Sequence, residues 1–477
     1  MTDITETDVV VVGGGPGGST VATLVARQGH RVVLLEKERF PRYQIGESLL
    51  PSTVQGICRL LGVSEELEQA GFPVKRGGTF RWGANPEPWT FDFGIAPEFA
   101  DAAAPAYQVE RMKFDQILLD NARRTGVDVR EEHTVTDVIE ENGRVRGVSC
   151  TDADGVRREF RGRYVVDASG NLSRIHSRVG GKRQYSEFFR NLALFGYFTG
   201  GKRMPAPTSG NILAVAFSAG WFWYIPLSDE LTSVGAVVHR EALDRIQGDR
   251  EQALKELIAE CPMIADFLSD AERVTSGPYG EIRVRKDYSY IQEKFSRPGL
   301  VLVGDAAGFI DPVFSSGVHL ATYGGLLVAR SLNTALRTAG ESGIDEKKLF
   351  EEYEVRYRQE YMRFHEFLVS FYDMHSDEDS YFWKAKKVAG GTASELQSFV
   401  TLVGGGSSDE RALVDSGSYG GRRDVDEALW SVAQAGANIQ VQAATGSTVD
   451  EQVPVRDDGL VPSDDGMHWA LPATAAA

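Results

Sequence analysis

The stretch from Asp8 to Glu38, DVVVVGGGPGGSTVATLVARQGHRVVLLEKE, leaves the chain few folds to choose from. Val9 to Val12 is an unbroken apolar run, which suits a strand covered on both faces in a parallel sheet. Gly13, Gly15 and Gly18 follow at G-x-G-x-x-G spacing, with Pro16 and Gly17 inside the same turn. The first glycine permits the tight turn, the second lets backbone approach a pyrophosphate, and the third lets helix and strand close up. Ser19 to Gln28 has helical composition, and Gly29 stands where a terminating glycine belongs. Such a helix aims free N–H groups and a positive dipole end at phosphate. Val32 to Leu35 reads as the second strand, and Glu36 at its end can accept hydrogen bonds from both hydroxyls of a ribose. A glycine triplet alone is weak; strand, triplet, helix, strand and terminal acid together predict a dinucleotide-binding βαβ unit.

A second strand–loop–helix lies far downstream. Leu300 to Val303 reads as a buried strand, Gly304 and Asp305 end it, and an apolar helix begins near Gly317. One dinucleotide fingerprint with a distant Gly-Asp motif points to FAD more than to NAD, the Asp305 carboxylate suiting ribityl hydroxyls. Between the two motifs, Tyr107 to Arg124 has helical spacing, and Val127–Val129, Val135–Ile139, Val145–Cys150 and Tyr164–Val166 read as short strands. Asp167-Ala168-Ser169-Gly170 follows the last of them. From Gly181 to about Pro278 the pattern changes to alternating strands, Leu192–Phe198, Asn211–Phe217, Trp221–Leu227 and Thr232–Val238, then a helical run Arg250–Leu268. That is an antiparallel sheet, hence a second unit of α+β type. Residues 346–372 predict a long helix whose Phe350, Tyr353, Tyr357, Tyr361, Phe364, Leu368 and Phe371 share one packing face.

The expected fold class is therefore α/β plus α+β. A discontinuous FAD-binding Rossmann domain takes residues 1–80, 107–180 and 275–340. An antiparallel substrate domain takes 81–106 and 181–274, and a C-terminal helix 341–388. Residues 389–477, rich in Gly, Ser, Ala and Asp, read as a loosely ordered tail that docks in part through Trp430 and Trp469.

With 477 residues there is room for two or three domains. A net charge of −17 argues against nucleic acid and anionic membranes as partners. The three cysteines, Cys58, Cys150 and Cys261, are scattered without a disulfide framework, as expected of a cytoplasmic protein. No signal peptide and no bilayer-length apolar run is visible, and the eight histidines show no metal-ligand spacing.

Three further stretches carry chemistry. Residues 39–53, RFPRYQIGESLLPST, put Arg39 and Arg42 close to the nucleotide site and Gly46, Glu47 and Ser48 before a helix. Lys75-Arg76-Gly77-Gly78-Thr79-Phe80 precedes a strand; alone, Lys75 reads as a surface lysine, and only a dry pocket would make its ammonium a donor or let it lose its proton. Trp221-Phe222-Trp223-Tyr224-Ile225-Pro226 is, alone, an aromatic-rich strand of ordinary kind.

Together with the two FAD motifs these stretches resemble the flavin-dependent halogenases, within the flavoprotein monooxygenase superfamily of glutathione-reductase-like fold. The tryptophan stretch matches the family's W-x-W-x-I-P signature, and the Lys75 stretch resembles its K-x-G-x-x-F segment. Pro312-Val313-Phe314-Ser315-Ser316-Gly317 is similar to its halide-holding loop. GESLLPST and DPVFSSGVHLA resemble the subgroup acting on phenolic or other aromatic substrates, often tethered to a carrier protein. The resemblance implies FADH2 supplied by a separate flavin reductase, chloride as co-substrate, a flavin C4a-hydroperoxide, hypochlorous acid, and a lysine, Lys75, that aims the halogen. It implies FAD contacts from Gly13, Gly15, Pro16, Gly17, Gly18, Glu36, Lys37, Arg42, Ser48, Arg111, Asp167, Gly304, Asp305, Pro312 and Gly317. Substrate or halide contacts are implied for Phe80, Trp221, Trp223, Ser316 and Gly317. The Asp167-Ala168 sequence departs from the D-G motif of hydroxylases that use NADPH directly. The alternatives are an NAD(P)H-using aromatic hydroxylase, a geranylgeranyl-reductase-like saturase, and a flavin-binding protein without catalysis.

Overall fold

The computed structural model describes residues 4–82, 87–96, 99–100, 104–337, 343–373, 395–406, 410, 413 and 459–472. Val9–Val12, every residue buried, is an inner strand of a six-stranded sheet, with Tyr164–Asp167 on one side and Val32–Leu35 on the other. Both pairings are parallel, and Leu300–Leu302 and Asp128–Arg130 extend them outward. Chain order thus reverses at Val9–Val12, and the crevice beyond the carboxyl ends of these strands is where such sheets take ligands. The Gly13 backbone, at φ 105, passes so close to Ala168 that a Cβ would stand 2.4 Å from its carbonyl oxygen. A Cβ on Gly18 would lie within van der Waals overlap of the Gly13 oxygen, so the helix Pro16–Ala26 can begin only here if both are glycine.

The second motif packs against the first. Ser316–Leu336 crosses Pro16–Ala26 where both lack side chains: a Cβ on Gly325 would be 3.0 Å from the Gly17 oxygen. The long helix Glu346–Asp373 packs on Ser316–Leu336, burying Tyr353, Tyr357, Phe364, Leu368 and Phe371.

A nine-stranded sheet forms the other half of the molecule. Its order is Gly308–Phe309, Arg283–Gln292, Arg183–Thr199, Leu231–Val238, Gly220–Pro226, Ile212–Phe217, Gly77–Arg81 and Trp89–Asp92, with Glu272–Arg273 attached to Arg183–Thr199. Three of these strands, Gly77–Arg81, Arg283–Gln292 and Gly308–Phe309, fall wholly or mostly in segments assigned from sequence to the nucleotide-binding unit. None has an apolar pattern distinguishing one sheet from the other; long-range pairing places them, Ile212 opposite Gly78, Ala193 opposite Arg285 and Tyr290 opposite Phe309.

Two helices are shorter than the sequence suggested. Ala106–Tyr107 pairs as a strand with Val74–Lys75, so the helix starts at Arg111 with Glu110 as its cap. The run from Arg250 breaks at Pro262, which lacks the N–H that would continue it, giving Arg250–Ala259 and Pro262–Phe267. In the C-terminal region Trp469 is buried against Ser316–Leu336, its indole N–H donating to Ser331 Oγ at 2.9 Å and its backbone N–H to Thr334 at 2.8 Å. Trp430 lies outside the described residues. No helix among the described residues is long and apolar enough to cross a membrane.

Candidate active site

The nine-stranded sheet has two unlike faces because strand side chains alternate. Along Gly220–Pro226, Phe222 and Tyr224 point into a cluster with Leu254, Leu257 and Ile264 of the flanking helices. Trp221, Trp223 and Ile225 point the other way and line a cavity of about 700 Å³. The Trp223 ring lies over Gly235, its cross-strand partner, where a Cβ would stand 2.3 Å from the indole and 2.5 Å from Phe195 Cβ.

The cavity is continuous from the first glycine motif to the second. Gly13, Gly15, Pro16, Gly17, Glu36 and Lys37 line one end, and Gly304, Asp305, Pro312, Ser315 and Gly317 the other. Arg42, Ser48, Arg111, Trp221 and Trp223 also reach it. Gly15 caps the first helix with no side chain over its amides, leaving them free for a diphosphate. Glu36 accepts from the Gly14 and Glu38 amides at 2.8 and 2.9 Å, which fixes its carboxylate at the cavity wall. Burial pushes Asp305 up to about 6, opposed by Arg111 and Arg183. Arg42 and Arg111 converge on Asp115, fully buried between them: Arg42 donates at 2.7 Å, Arg111 at 2.7 and 2.9 Å. Despite the burial that would raise it, the two guanidiniums hold the Asp115 carboxyl below its ordinary range. Glycine turn, ribose acid, second carboxylate and buried arginines fit an FAD molecule along this cavity.

Five of the residues named from sequence stand off the cavity. Gly18 acts within the helix–strand crossing described above. Asp167, at the end of its strand, accepts from Ser169 and Ser173, and Ala168 and Ser169 after it line the cavity. Ser316 is fully buried, with no hydrogen-bond partner for its hydroxyl among the described residues. Phe80 sits in an aromatic cluster with Trp89, Phe314 and Phe371 at centroid distances of 5.2, 5.9 and 5.6 Å.

Lys75 is the fifth, and 2% exposed rather than a surface residue. Asn211 pins the chain after it, accepting from the Arg76 and Gly77 amides at 2.9 Å each. Lys75 Nζ donates to the Leu49 carbonyl at 2.9 Å, lies 3.5 Å from Ser315 Oγ and stands over the Phe93 ring at 5.4 Å. Ser315 itself lines the cavity, so one hydroxyl separates Lys75 from it. Burial without a carboxylate partner brings the ammonium down to about 7. Ser315 adopts φ 62, a left-handed conformation outside glycine, as it turns the chain into Ser316–Leu336. The same loop is tied to the tryptophan wall: Trp221 Nε1 donates to Tyr372 Oη at 2.6 Å, and Tyr372 donates to Asp311 at 2.8 Å.

Sequence reasoning gave no role to Asp115, Ser315 or Glu47. Asp115 carries no motif of its own, and Ser315 lies in the Pro312–Gly317 stretch without being singled out there. Glu47 lies in the GES stretch, but only the fold shows it 2% exposed at the cavity wall.

The comparisons agree with this geometry. The model of the family described as tryptophan halogenase matches residues 8–101 and 96–446. A tryptophan 2-halogenase of Chondromyces crocatus is 36% identical over 388 residues, 80% of this chain and 71% of the relative. A flavin-dependent halogenase of Armillaria mellea is 35% identical, over 69% of this chain and 65% of the relative. The structure of the myxobacterial chondrochloren halogenase CndH, a variant of FAD-dependent halogenases, superposes with TM-score 0.77 at 51% identity, covering 98% of this chain and all of that one. That of the flavin-dependent halogenase CmlS superposes with TM-score 0.69 at 35% identity, over 80% and 67%. With both FAD motifs on one cavity and these likenesses spanning most of its length, the chain belongs to the flavin-dependent halogenases, enzymes that use FAD and halide.

Proposed function

We propose that this enzyme chlorinates an electron-rich, phenolic ring, free or carried on a carrier protein, in the cytoplasm, with FADH2 supplied by a separate flavin reductase. The observation that carries the reading is Lys75: a buried ammonium without a carboxylate partner, one serine hydroxyl away from a flavin-sized cavity. Reduced FAD, when bound, supplies with O2 the oxidising power that turns halide into electrophilic halogen. The chain's own residues do the rest. The Gly13–Gly17 turn and Glu36 hold the ADP half, and Asp305 the ribityl side. Amides at the start of Ser316–Leu336 hold the halide. Trp221 and Trp223 wall the substrate ring off from the cavity, which favours halogenation over hydroxylation. Lys75 Nζ holds the electrophilic species by hydrogen bond or, once deprotonated, by bonding to halogen, and so aims it at the ring. The low-lying titration of Lys75 makes both forms accessible near neutral pH.

The test is incubation of the full chain with FAD, a flavin reductase, O2, chloride and an array of substrates. The array holds free phenols, the same phenols on a carrier protein, and tryptophan. Mass spectrometry should show a chlorinated phenol whose formation saturates with chloride. A product formed equally well without halide, or a hydroxylated product, refutes the reading; chlorination of tryptophan alone refutes the phenolic assignment.

A further inference from the structure

Halogenation of a ring by this chemistry consumes a proton: ArH, halide, O2, FADH2 and one H+ give ArX, FAD and two waters. In the proposed function Lys75 is engaged with the halogen, so the proton needs another source. Glu47 lies in the cavity wall two residues before Leu49, whose carbonyl holds Lys75, and so at the reacting end. Its Oε1 accepts from Tyr197 Oη at 2.8 Å. Tyr197, fully buried, is 2.7 Å from Tyr43 Oη, and Tyr43 is partly buried at the cavity wall. The Arg283 guanidinium lies 3.8 Å over the Tyr43 ring. Glu47 Oε2 makes no hydrogen bond of good geometry, although the Ser233 hydroxyl stands on that side and itself accepts from Trp223 Nε1 at 3.1 Å.

We infer that Glu47 is the proton donor of the flavin cavity, and that Tyr43 and Tyr197 recharge it from solvent. The inference rests on the halogenase reading. In each turnover the Glu47 O–H bond breaks as an O–H bond forms on reduced oxygen leaving as water. Tyr197 then gives its hydroxyl proton to Oε1 and takes one from Tyr43, which takes one from water. The balance is one solvent proton consumed, with both tyrosines restored.

The surroundings suit this. Facing Glu47 are Tyr197 and Ser233 from the sheet, Arg111 and Glu110 at the start of their helix, and Tyr43 and Tyr279. Arg111 is committed to Asp115, so no cation among the described residues pairs with Glu47. Burial pushes the carboxyl up to about 7 against the hydroxyls of Ser233 and Tyr197 and the charge of Arg111, so a substantial fraction keeps its proton at neutral pH. Burial first, then the Glu47 charge, drives both tyrosines upward, so they pass protons as neutral hydroxyls.

Infrared titration of the flavin-free wild-type protein reads the donor directly. A protonated-carboxyl stretch should titrate near pH 7 and vanish in Glu47→Gln. With FADH2, halogenated product per flavin should fall in Glu47→Gln by ~100-fold, the low end for losing a positioned acid. The loss should appear as hydrogen peroxide, and the wild-type decline above neutral pH should flatten. Tyr197→Phe should keep the carboxyl band and FAD affinity yet slow turnover. Absence of any carboxyl titration near neutrality in the wild type overturns the assignment without need of a variant. So does a Glu47→Gln enzyme with wild-type yield and pH profile, which leaves the halogenase reading intact. A wild type making no halogenated product at any pH removes both.

Discussion

Replacing Lys75 by methionine separates what the fold wants from what the chemistry wants. Methionine is close in volume and fills the same space among Leu49, Phe93 and Ser315. The drop of the Lys75 ammonium from its ordinary 10.5 to about 7, caused by burial, is large. At about 1.4 kcal/mol per pH unit it corresponds to about 5 kcal/mol of penalty on the charged form. The unfolded chain binds one more proton than the folded one between about 7 and 10.5, so stability rises with pH across that window and the cost is full below it. Lys75→Met removes the cost and leaves the Leu49 carbonyl without its donor, a loss of about 1–3 kcal/mol. The variant should therefore be about 2–4 kcal/mol more stable than wild type at neutral pH. At about pH 10.5 the advantage should vanish or reverse. Denaturant unfolding of both proteins at the two pH values measures this, and product per reduced flavin measures the loss of halogenation. Equal destabilisation at both pH values would show that burial does not hold this amine in check.

Two other outcomes follow from geometry. Asp115→Ala strands the buried Arg42 and Arg111 beside the cavity and should cost about 3–5 kcal/mol in unfolding free energy, with FAD affinity falling in a fluorescence titration. Gly235→Ala, by contrast, should cost about 1–3 kcal/mol through overpacking, and because the displaced Trp223 ring moves toward the cavity, the same titration should show weaker binding.

Much of the fold was legible because its signals are local. Val9–Val12, the glycine spacing and Glu36 each declare themselves within a few residues, and strand alternation separates Trp221 and Trp223 from Phe222 and Tyr224. What stayed hidden depends on pairing across long separations. Gly77–Arg81 takes its sheet from Ile212, and Lys75 is buried by Leu49 and Ser315, which no window around it contains. The Asp167 carboxylate is held by Ser169 and Ser173, two and six residues on, a local contact that its place after a strand does not announce. Asp115 and Glu47 sit among polar neighbours in sequence, and a carboxylate there reads as solvated until the fold closes over it.

The two faces of Gly220–Pro226 bear on how this enzyme could change. Positions 221, 223 and 225 meet the cavity, whereas 222 and 224 meet the helices behind it. Substitutions at alternate positions of one strand therefore sample new pocket shapes while the supporting cluster stays untouched. A lineage, or a laboratory library restricted to positions 221, 223 and 225, can reshape this wall at the cost of the bonds that Trp221 and Trp223 make to Tyr372 and Ser233. The limit is Gly235, whose missing side chain is the space the Trp223 ring already occupies.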